Sequence, residues 1–286
     1  MIKKLLLFTT ILFAAISFAQ ASPITTSPAL PTDKDSVVIT YDAMAGTAGL
    51  KDYTGDVYAH IGLITNNSKS DSDWRHASTW GDNNAKYKLT SIAANKYTLK
   101  LTPSIREYFG IPADTVIYKV AMVFRSGDKT KEGKDTGGTD IYATVYTSEL
   151  NVNITSPTGT FFIHPEGTSL EVEVSATFNT SLILEDNGSL VESSAGQSLT
   201  YSYTPTAGKH KLVATATATD NDNNIVKDSI SFLVDNLASV SNPLPAGLKQ
   251  GVNYIDYNTA IITLFAPYKS SVFLLGDFND WQPDAS

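Results

Sequence analysis

The chain has 286 residues, of which 42% are hydrophobic and 17% charged, so it can build buried cores and lacks the signature of disorder. Its 21 Lys and Arg residues against 29 Asp and Glu residues give a formal net charge of -8, which argues against a nucleic-acid-binding protein. The absence of Cys excludes disulfides, Cys nucleophiles and thiolate zinc sites. The 14 Tyr, 12 Phe, 18 Gly and 12 Pro residues favour an all-β protein, because they are strand and turn formers.

Residues 1–21 have the organisation of a secretory signal peptide. Two lysines precede an apolar run, and an Ala-Gln-Ala site follows it, so cleavage is expected after Ala21 or Ala19. An uncleaved membrane anchor is the weaker alternative, because the apolar run is short and polar residues follow directly. The sequence therefore predicts a secreted, periplasmic or cell-surface protein with no membrane span after cleavage.

The first folded unit is expected over residues 36–147, after a Pro-, Ser- and Thr-rich lead-in linker at 22–35. Apolar and polar residues alternate in most of its six strand-like segments, which is the pattern of half-buried strands in a β-sandwich. A single helical turn is expected after Ser104. The six segments are VVITY (37–41), DVYAHIGLIT (56–65), YKLTSI (87–92), KYTLKL (96–101), VIYKVAMVFRS (116–126) and DIYATVY (140–146).

A second unit, residues 150–236, is predicted to be an immunoglobulin-like β-sandwich. Short strands recur about every ten residues, and an Asp-Asn-Gly turn at 186–188 separates two of them. A linker follows at 237–251. The predicted strands are LNVNITSP (150–157), TSLEVEVSAT (168–177), SLILEDNGSLVES (181–193, around that turn), SLTYSYTP (198–205), GKHKLVATATATD (208–220) and IVKDSISFLVD (225–235).

The last segment, residues 252–286, contains only two strand-like runs, TAIITLFAP (259–267) and SSVFLLGDF (270–278). Two strands bury too little surface to be stable alone. This hairpin therefore either joins a neighbouring sheet or is the truncated start of a third β-sandwich, and the second interpretation is favoured. The fold class expected for the chain is thus all-β, with tandem immunoglobulin-like sandwiches and an incomplete third.

The stretch VFLLGDFNDWQP (272–283) carries a V-x-L-x-G-D-F-N-x-W pattern. It resembles the opening of the family 48 carbohydrate-binding module, which precedes the catalytic barrel in α-amylase, pullulanase and branching enzymes. The resemblance implies that the chain is the N-terminal, non-catalytic region of a secreted α-amylase-family glycoside hydrolase, whose covalently linked catalytic domain is missing here. The residues that carry the pattern are Val272, Leu274, Gly276, Asp277, Phe278, Asn279 and Trp281.

Two stretches of the first unit, residues 73–114 (beginning DWRHASTWGDNN) and 122–146 (beginning MVFRSGDKTKEG), resemble the starch-binding-like sandwiches at the N-termini of secreted α-amylase-type enzymes from Bacteroidetes-like bacteria. The resemblance implies an α-glucan partner such as starch, glycogen or a maltooligosaccharide.

The candidate binding residues surround two tryptophans in a polar segment. A sugar ring offers its C–H face to a flat aromatic group and its hydroxyls to amides, carboxylates and Lys or Arg. Each indole either folds back onto the sandwich or awaits a ligand, and both alternatives stay open. The candidates are Trp74 and Trp80 for the face, Asp82, Asn83 and Asn84 for the hydroxyl rim, and Tyr87 and Lys88 beside them.

No catalytic residues, metal site or cofactor are predicted. Glycoside hydrolysis needs two carboxylates across the scissile bond, and the α-amylase family holds them on a (β/α)8 barrel, for which this sequence shows no strand–helix alternation. Asp220, Asp222 and Asn224 have calcium-loop spacing, but Ile225 and Ser231 replace the required Gly and Glu, so a hairpin turn is favoured. None of the four His residues has a partner at metal-ligand spacing.

The sequence thus predicts a secreted accessory region that binds starch-like polysaccharide and spaces a catalytic domain. The alternative is a structural or adhesive cell-surface protein of stacked sandwiches without a sugar site. The family-module pattern discriminates between the two, because an adhesin has no need of it.

Overall fold

A computed structural model describes residues 22–218, 224–235 and 246–265, together with positions 272, 274, 276 and 277. Strands dominate these residues, and the predicted all-β fold class is confirmed. The predicted signal peptide lies outside the described residues. Within them, no helix has the length and apolar character needed to cross a membrane.

The first sandwich consists of two four-stranded sheets. The first sheet has the order β1-β2-β5-β4, and in the second sheet β6 pairs with β3 on one side and with β7 and β8 on the other. The predicted helical turn is confirmed as α1 (Ile105–Phe109), with Ser104 as its N-cap. The strands are β1 (Ile24–Ser27), β2 (Val37–Asp42), β3 (Val57–Thr65), β4 (Thr90–Ala93), β5 (Lys96–Leu101), β6 (Ile117–Ser126), β7 (Glu132–Gly133) and β8 (Ile141–Thr144).

Alternate side chains from both sheets form one buried core between them. Tyr41 of β2 meets Phe124 of β6 across it, with ring centroids 4.1 Å apart. On β3, every second side chain from Val57 to Leu63 lies in this core. Tyr58 and His60 therefore point to the opposite face of the sheet.

Residues 22–35 are not the lead-in linker that composition predicts. They include β1, which pairs antiparallel with β2 from Ile24↔Tyr41 to Ser27↔Val38, and Leu30 is fully buried. The Pro-rich composition is compatible with an edge strand because Pro23 and Pro28 flank the strand and do not interrupt its ladder.

The second sandwich is a six-stranded arrangement around its own buried core. Its hydrogen-bonded order is β10-β14-β13-β11-β12, and β9 pairs with the first half of β11. The register of β11 against β12 shifts between Ser175 and Thr180, so one long hairpin passes through both layers. The strands are β9 (Val152–Ser156), β10 (Phe161–Pro165), β11 (Leu170–Asp186), β12 (Ser189–Tyr203), β13 (Gly208–Thr217) and β14 (Ile225–Asp235).

Three features of this unit differ from the sequence prediction. The predicted strands at 189–193 and 198–205 form one continuous strand, β12. The predicted strands at 168–177 and 181–185 form one continuous strand, β11, because the register shift bends the chain without ending its pairing. Strand β10 was not predicted, and it pairs parallel with β14. The turn after Asp186 is confirmed, with Asn187 and Gly188 both at positive φ (49° and 78°), as a two-residue hairpin turn requires.

The last described element is a two-stranded hairpin of β15 (Gly251–Tyr254) and β16 (Ala260–Thr263). Strand β15 begins at the final residue of the predicted linker. Of the family-module pattern, Gly276 is buried and Asp277 is exposed. Phe278, Asn279 and Trp281 lie outside the described residues, as does most of the predicted strand 270–278.

Candidate functional site

The connection from β3 to β4 folds across the edge and outer face of β3. Arg75 and Leu63 exchange two backbone hydrogen bonds of 2.7 and 2.8 Å, and the Ser78 amide donates to the Ile61 carbonyl at 2.9 Å. Gly62 makes this crossing possible, because a Cβ atom there would lie 3.0 Å from the Cα and Cβ atoms of Ala77. The cover explains why β3 is buried on both faces although it is an edge strand.

Both candidate tryptophans contact the imidazole of His60 on this outer face. Trp74 stacks on it, with ring centroids 5.2 Å apart and planes inclined by 23°. Trp80 meets it edge-on, with centroids 5.1 Å apart and planes inclined by 79°. The Nδ1 atom of His60 lies 3.1 Å from the Ser78 hydroxyl, which fixes the ring from the loop side. We call Trp74, His60 and Trp80 the aromatic cluster.

Trp74 is the anchored member of the aromatic cluster. Its ring is partly buried, and its Nε1–H donates to the Asp71 carbonyl at 3.1 Å. The Tyr142 hydroxyl donates to the same carbonyl at 3.0 Å, and the Lys119 ammonium lies 2.9 Å from the Asp71 carboxylate. Trp74 therefore folds back onto the sandwich, which was one of the two alternatives open from sequence.

Trp80 is the exposed member, with 44% of its surface accessible. Gly81 follows at φ +84°, and a Cβ atom there would lie 2.7 Å from the side chain of Lys129. The indole planes of Trp74 and Trp80 are inclined by at least 56°, the difference between 79° and 23°. They therefore do not form one flat platform.

A buried cation holds the segment that follows Trp80. Arg125 of β6 is 1% exposed, and its guanidinium donates to the Asn83 side-chain oxygen at 2.8 Å and to the Asp82 carbonyl. Its Cζ lies 5.3 Å from the ring centroid of Tyr58, within cation–π range. The Asn83 amide donates to the Gly127 carbonyl at 3.0 Å. These hydrogen bonds hold the backbone next to Trp80 against the sheet.

Burial also sets the charge state at the cluster. Desolvation lowers the pKa of His60, the nearby positive charge of Arg125 lowers it further, and Asp140 partly opposes both. His60 is therefore neutral at neutral pH. The pKa of Arg125 is also lowered by burial, and among the described residues its Nε has no hydrogen-bond partner.

The other predicted site residues are engaged within the fold. The Asp82 carboxylate accepts a hydrogen bond of 2.9 Å from the backbone N–H of Asn84. The Asn84 side chain in turn caps a short 3-10 helix at 85–87. Lys88 forms a 2.7 Å ion pair with Asp56, and Tyr87 packs against the core. The structure brings Trp74 and Trp80 together, whereas the hydroxyl rim is largely used to shape the loop.

His60 and Arg125 were not identified from the sequence as parts of this site. Each is a polar residue inside an otherwise apolar strand, and that contrast is the signal that could have found them.

A buried polar cluster in the second unit surrounds Asp186. The Asp186 carboxylate lies 2.7 Å from His210 Nδ1 and accepts from the Tyr203 hydroxyl at 3.0 Å, while His210 Nε2 lies 2.8 Å from the Thr206 carbonyl oxygen. Burial and the Asp186 carboxylate raise the pKa of Tyr203. Throughout the described part of the chain, no group of three His, Asp or Glu side chains is placed to hold a metal ion.

Comparison with known proteins returns only remote structural likeness. No family model and no curated protein matches the chain. Fibronectin(III)-like modules of CbhA from Clostridium thermocellum are 19% identical, over 29% of this chain and 95% of that one, with a TM-score of 0.26. The titin Ig tandem domains A164-A165 are 10% identical over 72% of this chain and 91% of theirs, with a TM-score of 0.23. Dpr2 Ig1-Ig2, solved in complex with DIP-Theta, is 12% identical over 77% and 97%, with a TM-score of 0.25.

Proposed function

We propose that this protein is a secreted, non-catalytic accessory region that binds starch-like α-glucan through Trp80 and spaces a linked catalytic domain of the α-amylase type. The observation that carries the proposal is an indole left 44% exposed on a segment fixed by a buried arginine. Exposed indoles on rigid supports are typical binding anchors. Burying their apolar face against a ligand is favourable, and a side chain that is already ordered loses little conformational entropy on binding.

The tilt within the aromatic cluster supports a curved ligand. Coplanar rings would match a flat, extended polysaccharide, whereas planes inclined by at least 56° cannot stack on one flat chain together. An α-linked glucan turns along its length, so one sugar can stack on Trp80 while the chain passes over the side of the cluster.

A weak site of this kind is useful when it is tethered. When such a site is joined to a catalytic domain and holds a polymer, the catalytic domain meets the same polymer within one complex. The local concentration of substrate at the catalytic domain is then higher. The second sandwich acts as the spacer in this arrangement.

The alternative function is a structural or adhesive surface protein without a sugar site. One observation favours it: the side chains of Asp82, Asn83 and Asn84 form hydrogen bonds to backbone groups of the fold. Few polar groups beside Trp80 are therefore left to bind sugar hydroxyls.

Native affinity electrophoresis discriminates between the two functions. The protein without its predicted leader (residues 22–286) is run in gels with soluble starch, with dextran or without polymer. Retardation by starch alone is expected, and Trp80→Ala should abolish it. Tyr118→Ala, which removes an exposed aromatic ring on β6, is the matched control and should retain it. Unchanged mobility of the wild type in starch would refute the sugar site and favour the adhesive alternative.

A further inference from the structure

Among the described strands, β12 forms a long sheet edge with a partner on one side only. It pairs with β11 from Tyr203↔Leu170 to Ser189↔Asp186, and no other described strand pairs with it. It is 15 residues long, and its only charged residue is Glu192. An unpaired edge offers a row of backbone donors and acceptors to any other strand.

Three other sheet edges of the described chain carry protections against edge pairing. Strand β1 has four residues and lies between two prolines, β10 ends in Pro165, and the edge of β3 is covered by the segment around Ser78. Short length, flanking Pro residues and covering loops are the usual means of blocking edge-to-edge pairing. Strand β12 is long and has neither a Pro nor a Lys, and after the two register shifts in its ladder with β11 the segment from Ser198 to Tyr203 pairs without interruption.

We infer that β12 pairs antiparallel with β12 of a second copy of this chain, with the two-fold axis at Thr200. This register places Thr200 opposite its own copy and Ser198 opposite Ser202, all three being exposed on one face. Cross-strand Thr and Ser pairs are favourable, and this register sets no like charges opposite each other although the chain as a whole is acidic. The buried Leu199 lies on the other face, so the two cores become neighbours across one continuous sheet.

This dimer does not depend on the proposed sugar site. The register pairs residues 197–203 of the two copies, and an edge pairing of this length buries less than about 1,200 Å², so we expect a weak, concentration-dependent dimer.

Sedimentation velocity of residues 22–286 over a concentration series tests the interface. The wild type should dimerise with increasing concentration. Thr200→Lys should remain monomeric, because two lysines would meet at the axis, and an equal mixture of Thr200→Lys and Thr200→Glu should restore the dimer. Ser181→Lys is the matched control, since Ser181 is exposed on β11 and pairs with β12 on one side and β13 on the other, and it should behave as the wild type.

Spin labels on single cysteines report the register, because the chain has no Cys of its own. The distance between labels in the dimer should be shortest at Thr200→Cys and longer by about 10 Å at Ser198→Cys and Ser202→Cys. Three results would each overturn the inference: a monomer at every concentration, a dimer that survives Thr200→Lys, or a dimer of residues 22–235 but not of 22–286. The last would show that the downstream segment occupies β12.

Discussion

The imidazole of His60 lies under the indole of Trp74, with 5.2 Å between ring centroids and 23° between the planes. The same imidazole supports Trp80 edge-on at 5.1 Å. One side chain on β3 therefore contacts both indoles. Because its pKa is lowered by burial and by Arg125, the support is a neutral ring at neutral pH.

His60 should make stability depend on pH. Its folded-state pKa is lowered below the unfolded value, so the unfolded chain binds the proton more readily. Its contribution is fully present above the unfolded pKa of about 6.5 and is lost as the pH falls through the folded-state pKa. Urea unfolding between pH 7.5 and 5 should show this loss, and His60→Gln should reduce the slope.

The control for this prediction is His76→Asn, which removes an exposed imidazole from the same covering loop. It should leave the pH slope at its wild-type value. An equal slope in His60→Gln and wild type would contradict the assignment of the pH effect to His60.

Arg125 should act as the positioning residue for the Trp80 segment. Arg125→Met removes the donors to Asn83 and to the Asp82 carbonyl, and we expect a loss of about 2–3 kcal/mol in the free energy of unfolding. Limited proteolysis should become faster within residues 79–88. Arg125→Lys keeps the charge but lacks the forked geometry, so it should restore only part of the loss.

Lys100→Met serves as the control for Arg125, because Lys100 is exposed on β5 of the other sheet. It should change stability by less than about 0.5 kcal/mol. Wild-type stability and wild-type proteolysis in Arg125→Met would show that the guanidinium does not hold the segment.

The Asp186 cluster should stabilise the second sandwich cooperatively. Asp186→Ala leaves His210 and Tyr203 without their shared acceptor, and we expect a loss of about 2–4 kcal/mol. A double-mutant cycle with Tyr203→Phe should give a coupling of about 1 kcal/mol in urea unfolding. Glu171→Ala, an exposed position of the same strand, is the control. Additive effects of Asp186→Ala and Tyr203→Phe would contradict the coupling.

Much of the fold could be predicted because alternation of apolar residues reports directly which strand faces meet a core. The segment 96–101 matches β5 at both ends. The failures have local physical causes. Proline content suggested a linker at 22–35, yet β1 needs only four residues between two prolines. Strand β10 is short, and its pairing with β14 lies far away in sequence, so nothing local indicates it.

The candidate site was predicted less completely. The polar surroundings of Trp80 left two alternatives open, an indole folded back onto the sandwich or one available to a ligand, and the structure leaves it exposed. The same reasoning could not separate Trp74 from Trp80, because anchoring depends on Asp71 and His60 across the fold. The sequence suggested that the rim residues could bind sugar hydroxyls. In the structure they form hydrogen bonds within the loop, such as the one from the backbone N–H of Asn84 to the Asp82 carboxylate.

Isothermal titration of residues 22–286 with maltoheptaose tests the central claim most directly, namely that the exposed face of Trp80 is a sugar site. We expect saturable binding in the wild type, a loss of at least tenfold in affinity in Trp80→Ala, and wild-type affinity in Tyr118→Ala. Circular dichroism should show that both variants are folded. Absence of binding in the wild type, or equal affinity in folded Trp80→Ala, would contradict the assignment of this face to sugar recognition.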